Sequence, residues 1–205
     1  MVGCPNRPPA NTMGMDTKVT RYPLPTLPPS SFGGIDPGFS GCLAILRPGG
    51  EVEFHDPPVV KLDLAKKSKT GNVRHRSEYL FAEMAKILRE AGLDFVTLEK
   101  TVPMPSFKGG RMVQMPAASA FGSGVGYGAW QMGLATLGIP FQLVHPATWK
   151  AELLRDQPKT KEGAVAYAAR LYPGASSSLY GPRGGILDGR AEALLLARYG
   201  QLGLR

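Results

Sequence analysis

The hydrophobic and polar positions between residues 32 and 55 form three short runs of the kind that strands show. The runs cover residues 32–36, 41–46 and 51–55. Turn-forming residues separate them, with Pro37-Gly38 after the first run and Arg47-Pro48-Gly49-Gly50 after the second. Because such residues favour tight reversals between strands, the pattern predicts a meander of three strands.

The periodicity changes after this meander. Residues 56–72 are polar and rich in lysine, which predicts a loop. Apolar residues then recur at helical spacing over residues 74–91, and Gly92 supplies a stop, so this segment predicts an amphipathic helix. A nearly uncharged run at residues 93–98 predicts a fourth strand, which ends at Glu99.

The second half of the chain alternates helices with one more strand. Residues 122–138 carry many glycines in a helical run, which allows the core or a second subunit to approach closely. Residues 141–144 predict the fifth strand. The chain then turns into a short helix at residues 145–150, which starts from His145, and two further helices follow at residues 164–171 and 186–200. The last of them has small residues backed by leucines, as expected of a helix that packs against a sheet.

The composition indicates one globular domain with a tail. With 205 residues and a hydrophobic fraction of 43%, the chain is large enough for one core and too short for two enzyme-sized lobes. No apolar run approaches the roughly 18 residues that cross a bilayer, so no membrane partner is expected. Residues 1–31 hold seven of the 19 prolines and predict a flexible tail, either a transit remnant or a leader added for expression. The domain is then expected over residues 32–205.

The charge of the chain indicates a polyanionic partner. There are 24 Lys and Arg against 16 Asp and Glu, a formal net charge of +8. Such a balance favours nucleic acid through counterion release and long-range steering, and an ordinary basic surface is the alternative explanation. The two cysteines, Cys4 and Cys42, are too few for a disulfide framework or a zinc site.

Four acidic residues occupy unusual places in this pattern. Asp36 ends the first predicted strand beside a Pro-Gly turn, and Glu99 ends the fourth, where ligand sites on open α/β sheets gather. Asp188 and Glu192 are four residues apart, so both lie on one face of the last helix and repel each other unless a cation relieves them. Taken alone, Asp36 is explained by a turn and Glu99 by an exposed cap. The further acids in equally unusual places favour a functional site over these explanations.

The order of elements is similar to that of the ribonuclease-H-like fold. Three meandering strands are followed by helix, strand, helix, strand and helix, with acids on the first strand, at the end of the fourth and on the last helix. In that fold the first and fourth strands lie side by side and the final helix covers their ends. The resemblance predicts an α/β protein with a ribonuclease-H-like fold, a mixed five-stranded sheet flanked by helices.

Local motifs extend the resemblance to the RuvC-type Holliday-junction resolvases. Gly34-Ile35-Asp36-Pro37-Gly38 resembles their opening motif, and Leu98-Glu99-Lys100 resembles their second acidic strand. The sequence of residues 188–195, with Tyr199-Gly200, is similar to the plastid branch of the monokaryotic-chloroplast type and its phage relatives. Two details differ, since bacterial members space their last two acids by three and plastid members often carry His where this chain has Asp188.

The resemblance implies a metal site built from the four acids. It implies that Asp36 bridges two Mg²⁺ ions, with Mn²⁺ as a possible substitute, and that Glu99 binds one of them. Asp188 and Glu192 would complete the ligand set. The chemistry implied is metal-dependent hydrolysis of a phosphodiester.

A DNA-binding surface and a partner follow from the same resemblance. Lys150 and Lys161 match basic positions that contact the scissile region, and Lys108 and Arg111 lie where the plastid branch places its base-reading insertion. The full set of DNA-binding candidates is Lys100, Lys108, Arg111, Lys150, Lys159, Lys161 and Arg190. The implied partner is a four-way DNA junction, which a two-fold homodimer cuts symmetrically, and the glycine-rich helix is the candidate interface.

The function expected from the resemblance is that of a crossover junction endodeoxyribonuclease in DNA recombination and chloroplast nucleoid segregation. The expected compartment is the chloroplast, with a phage-encoded or bacterial cytoplasmic protein as the alternative. An actin-like sugar or acetate kinase shares the fold but needs two lobes, which 205 residues cannot supply. Another ribonuclease-H-like nuclease, of the ribonuclease H or phage packaging type, and a junction-binding protein without catalysis are the remaining alternatives.

Overall fold

A computed structural model of the chain describes residues 30–64, 74–101, 106–108, 111–113 and 115–204. A mixed sheet lies at its centre, and its five strands are, in spatial order, β3 (Val52–His55), β2 (Cys42–Leu46), β1 (Phe32–Asp36), β6 (Phe95–Glu99) and β9 (Phe141–Val144). Strand β2 runs antiparallel to β1 and β3, whereas β6 is parallel to both β1 and β9. This is the strand arrangement of the ribonuclease-H-like fold, and it confirms the predicted α/β architecture with the first and fourth predicted strands side by side.

Helices cover both faces of the sheet because side chains alternate along each strand. On one face, Leu43 and Ile45 of β2 pack with α1 (Phe81–Glu90) and α2 (Ala117–Thr136). On the other face, Cys42 and Ala44 pack in a second core. The helices of that second core are α3 (Pro146–Leu153), α4 (Lys161–Leu171), a 3₁₀ helix (Pro173–Leu179) and α5 (Asp188–Gln201).

The backbone of α5 lies directly on β1. Gly34 makes this possible, since a Cβ atom at that position would overlap the carbonyl oxygen of Ala193 and the amide nitrogen of Ala197. The fully buried residues of α5 are Ala191, Ala193, Leu194, Leu195, Leu196 and Ala197. The prediction that the last helix is pressed against the sheet is therefore confirmed.

The segment between β3 and α1 differs from its prediction. Residues 56–72 were expected to be a loop and residues 74–91 a helix, but β4 (Val59–Leu64) and β5 (Arg74–Tyr79) pair as an antiparallel hairpin. The loop prediction is wrong for residues 59–64, and residues 65–72 lie outside the described residues. The helix prediction is wrong for residues 74–79 because β5 is polar and lacks an alternating apolar pattern, so its strand conformation depends on pairing with β4. Helical structure begins only at Phe81.

Other boundaries shift by a few residues. The fourth predicted strand, at residues 93–98, is β6 at Phe95–Glu99, and the glycine-rich helix begins earlier than residue 122, at Ala117. Residues 1–29 of the predicted tail lie outside the described residues. None of the described helices combines the length and apolar character that crossing a membrane requires.

Candidate active site

Two of the predicted acids lie side by side at one edge of the sheet. Asp36 is the last residue of β1 and Glu99 is the last residue of β6. The two strands are parallel neighbours, with Ile35 in register with Leu98, so their carboxyl ends meet at the same edge. Ligand sites of open α/β sheets form at such edges.

The start of α5 brings the other two acids to the same edge. Asp188 is the first residue of α5, and Glu192 lies one turn later on the same face. Gly189 lies beside the turn after β1, since a Cβ there would be 3.2 Å from Oδ2 of Asp36. Electrostatic interactions join Asp36 to Asp188 and Glu192, and they join Glu99 to Asp36 and Glu192. The structure thus brings the four predicted acids into one region.

Burial and crowding of negative charge make two of these acids weaker. Burial raises the pKa of Asp36 from 3.8 to about 6, and the negative charge of Glu192 adds to the rise, while a hydrogen bond from the Gly38 amide opposes it. Burial also raises the pKa of Glu99, from 4.5 to about 7. The indole of Trp149 opposes this rise, because it donates a hydrogen bond to Oε2 of Glu99 at 2.7 Å. A nearby cation would favour the charged form of both acids.

Two lysines supply positive charge at this edge. Nζ of Lys150 donates to Oε1 of Glu192 at 2.7 Å and lies 5.0 Å from the ring centroid of Trp149. Lys161, the first residue of α4, pairs with Asp188, and this pairing raises the pKa of the lysine. Four carboxylates thus share two lysine partners, which leaves an excess of negative charge that a divalent cation could balance.

The donor chemistry of the site fits a hard divalent cation, because carboxylate oxygens are the ligands that Mg²⁺ prefers. In the present arrangement, however, no three His, Cys, Asp or Glu groups of the described residues are grouped closely enough to hold a metal ion. Side chains donate to three of the carboxylates, namely Trp149 to Glu99, Lys150 to Glu192 and Lys161 to Asp188. A bound ion would compete with these donors for the carboxylate oxygens.

The other predicted DNA-binding residues lie in different settings. Lys100 and Lys159 are exposed. Lys108 ends β7 (Ser106–Lys108) and Arg111 begins β8 (Arg111–Val113), which pair as an antiparallel hairpin, and the side chains of both residues lie outside the described part. Arg190 turns toward β3 instead.

The side chain of Arg190 is held by protein partners. Its guanidinium donates twice to Asp56, at 2.9 and 2.7 Å, and to the carbonyl oxygen of Ser178. It also lies over the ring of Phe54, 5.8 Å from the centroid. Binding of a phosphate by Arg190 would compete with these contacts.

Sequence reasoning missed the role of Trp149. This side chain is fully buried, and its only polar atom donates to Glu99. The signal in the sequence was its place, in a Trp-Lys pair just after the fifth strand, whose end neighbours the end of the strand that carries Glu99. His145 is not a ligand in this arrangement, because its Nδ1 caps α3 by accepting from the Ala147 amide at 3.2 Å.

The raised pKa values predict that the metal-free protein loses stability as the pH rises. The folded protein retains protons on Asp36 and Glu99 up to about pH 6 and 7, whereas the unfolded chain releases them near 3.8 and 4.5. The free energy of unfolding is therefore greatest at the acidic end of the range between these pKa values. It falls toward pH 8, by at most roughly 3 kcal/mol for each group. Urea unfolding in EDTA at pH 5 and pH 8 measures the change. An unfolding free energy that rises with pH would contradict these assignments.

The chain is similar in shape to solved structures of RuvC proteins. No protein-family model matches the chain, and a search of curated proteins finds no match either. Thermus thermophilus RuvC in complex with a Holliday junction substrate is similar at a TM-score of 0.45 and 15% identity, over 84% of this chain and 96% of that chain. A second Thermus thermophilus RuvC structure has 17% identity at the same coverage and a TM-score of 0.45.

Proposed function

We propose that this protein is a metal-dependent endonuclease that resolves four-way DNA junctions. One observation carries the proposal, namely that Asp36, Glu99, Asp188 and Glu192 meet at one sheet edge. These four carboxylates outnumber the two lysines that pair with them. A site with surplus buried negative charge favours divalent cations, and a net charge of +8 favours a polyanion. The junction is chosen as substrate because the motifs around Asp36 and Glu99 resemble those of RuvC-type resolvases.

The proposed roles follow from the placement of each group. Asp36 and Glu99, with Asp188 and Glu192, would hold Mg²⁺ or Mn²⁺. When bound, the metal supplies an activated water and charge stabilisation at phosphorus. Lys150 and Lys161, once released from their carboxylates, would orient the scissile phosphate as point charges. Lys100, Lys159 and the β7–β8 hairpin with Lys108 and Arg111 extend the proposed DNA surface.

We also propose a homodimer in which α2 is the interface. The 20 residues of this helix include no charged side chain. Its exposed stripe carries Phe121 and Met132, which are 76% and 68% exposed, with Gly124 and Gly128 between them. These four positions recur at helical spacing, so they form one apolar face that a second copy can cover. Two copies would supply the two sites that symmetric cutting needs.

Replacing Met132 with glutamate tests the proposed interface. A charge buried without a partner is costly, so Met132→Glu should weaken dimerisation at least about tenfold. Sedimentation velocity over a concentration series measures the monomer fraction. Leu202→Glu is the matched control, since Leu202 is 48% exposed and lies at the end of α5. Equal sedimentation of wild type and Met132→Glu would exclude α2 as the interface.

For the compartment we propose the plastid nucleoid, with a phage or bacterial origin as the alternative. Support comes from the sequence of residues 188–195 and from Tyr199-Gly200, which are similar to the plastid branch. A fluorescent fusion of the full chain expressed in plant cells should coincide with stained plastid DNA. Diffuse fluorescence outside plastids would contradict the assignment.

The test of the nuclease proposal is cleavage of labelled mobile junctions with and without Mg²⁺, with the nicks mapped on all four strands. Paired symmetric nicks that need the metal are expected. Nicking of an RNA/DNA hybrid in preference to the junction would favour another ribonuclease-H-like nuclease. Junction binding in EDTA without any nick in Mg²⁺ or Mn²⁺ would favour a junction-binding protein that has no catalytic role.

A further inference from the structure

A tyrosine outside the acidic site contacts the turn that follows Asp36. Tyr79 ends β5 and is 6% exposed. Its hydroxyl donates to the carbonyl oxygen of Pro37 at 3.2 Å, and its ring stacks on Phe39 with centroids 4.3 Å apart and planes 11° apart. We propose that Tyr79 is a positioning residue for the nuclease, fixing the turn at residues 36–41 so that the Asp36 carboxylate keeps one orientation. The inference rests on the proposed function.

The turn has few restraints of its own. The Gly41 amide donates to the Gly38 carbonyl at 3.0 Å, and the Gly38 amide donates to Oδ1 of Asp36 at a long 3.4 Å. Phe39, at the outside of the turn, is 36% exposed. Tyr79 adds both a hydrogen bond to the turn and a ring for Phe39 to pack on, so it supplies restraint from outside the turn.

Helix α2 forms the wall behind both rings. A Cβ at Gly126 would overlap the hydroxyl of Tyr79, and a Cβ at Gly122 would lie 2.7 Å from Cε2 of Phe39. Glycine in a helix interior lowers helix stability by about 1 kcal/mol relative to alanine. The close approach of the two rings explains why glycine nevertheless occupies both positions. By contrast, a Cβ at Gly124 on the same helix meets nothing within 4 Å.

The hydroxyl of Tyr79 stays a donor at neutral pH. Burial raises the pKa of Tyr79 to about 12, and the negative charge of Asp36 adds to the rise. The hydrogen bond to Pro37 is therefore present throughout the range in which cleavage would be measured.

The test compares Tyr79→Phe, which removes only the hydroxyl, with Tyr180→Phe, a control on an exposed tyrosine. Amide hydrogen exchange at Gly41 should become about tenfold faster in Tyr79→Phe and stay unchanged in Tyr180→Phe. At saturating junction and Mg²⁺, cleavage by Tyr79→Phe should slow about tenfold, while the junction Kd in EDTA and the melting temperature stay close to wild type. A residue that only supports the fold would lower the melting temperature in step with the rate.

A second variant approaches the same contact from α2. Gly126→Ala should displace the Tyr79 ring and reproduce the faster exchange at Gly41. Unchanged exchange at Gly41 in both variants overturns the inference, as does a cleavage rate equal to wild type. If the wild-type protein cuts no junction in Mg²⁺ or Mn²⁺, the proposed function fails, and the exchange at Gly41 still decides whether Tyr79 holds the turn.

Discussion

The Asp36→Asn protein is expected to bind four-way junctions like the wild type and to cut them at least about a thousandfold more slowly in Mg²⁺. Asp36 lies at the centre of the acidic group, because it interacts electrostatically with Glu192, Asp188 and Lys150. Asparagine keeps the shape of the side chain but removes the negative charge with which Asp36 would hold the proposed metal ion. Single-turnover cleavage and gel-shift titration in EDTA measure the two quantities separately.

Asp156→Asn is the matched control for this substitution. Asp156 is exposed between α3 and α4, and its variant should cut at the wild-type rate. Asp36→Asn should also melt at a higher temperature than the wild type at pH 8 in EDTA, because it no longer buries a charge there. Normal cutting by Asp36→Asn would exclude Asp36 from the proposed metal site. If Asp36→Asn lost junction binding as well as cleavage, Asp36 would be needed to maintain the fold rather than for cleavage alone.

Gly34→Ala is expected to lower the free energy of unfolding by at least about 3 kcal/mol. The added methyl group would overlap backbone atoms of Ala193 and Ala197, and backbone cannot move aside as a flexible side chain can. Helix α5 would have to lift from β1, which would also carry Asp188 and Glu192 away from Asp36. Urea unfolding measures the loss, and cleavage should fall with it.

Gly174→Ala controls for the general effect of exchanging glycine. Gly174 lies in the 3₁₀ helix with nothing within 4 Å of an added Cβ, so its variant should differ from wild type by about 0.5 kcal/mol or less. A loss below about 1 kcal/mol in Gly34→Ala would mean that α5 does not press on β1. The grouping of the four acids would then lose its structural basis.

The five strands of the central sheet were predictable because their signals are local. Apolar runs bounded by Pro-Gly and Gly-Gly turns identify β1, β2 and β3 from neighbouring residues alone. The strand β5 was not predictable in this way. It reads Arg-His-Arg-Ser-Glu-Tyr, whose conformation depends on the residues across the hairpin rather than on its own pattern. Strand β4 does carry a local signal, because Val60, Leu62 and Leu64 alternate with polar residues, but it lies in a segment that is polar and rich in lysine overall.

The sequence alone determined which acids stand at strand ends and on one face of the last helix, since strand and helix periodicity act over a few neighbouring residues. Only the tertiary structure decided their partners. Trp149 donates to Glu99 across 50 positions of the chain, and Lys150 pairs with Glu192 across 42. Which donor meets which carboxylate depends on how α3 and α5 pack at the sheet edge, and no local pattern encodes that packing.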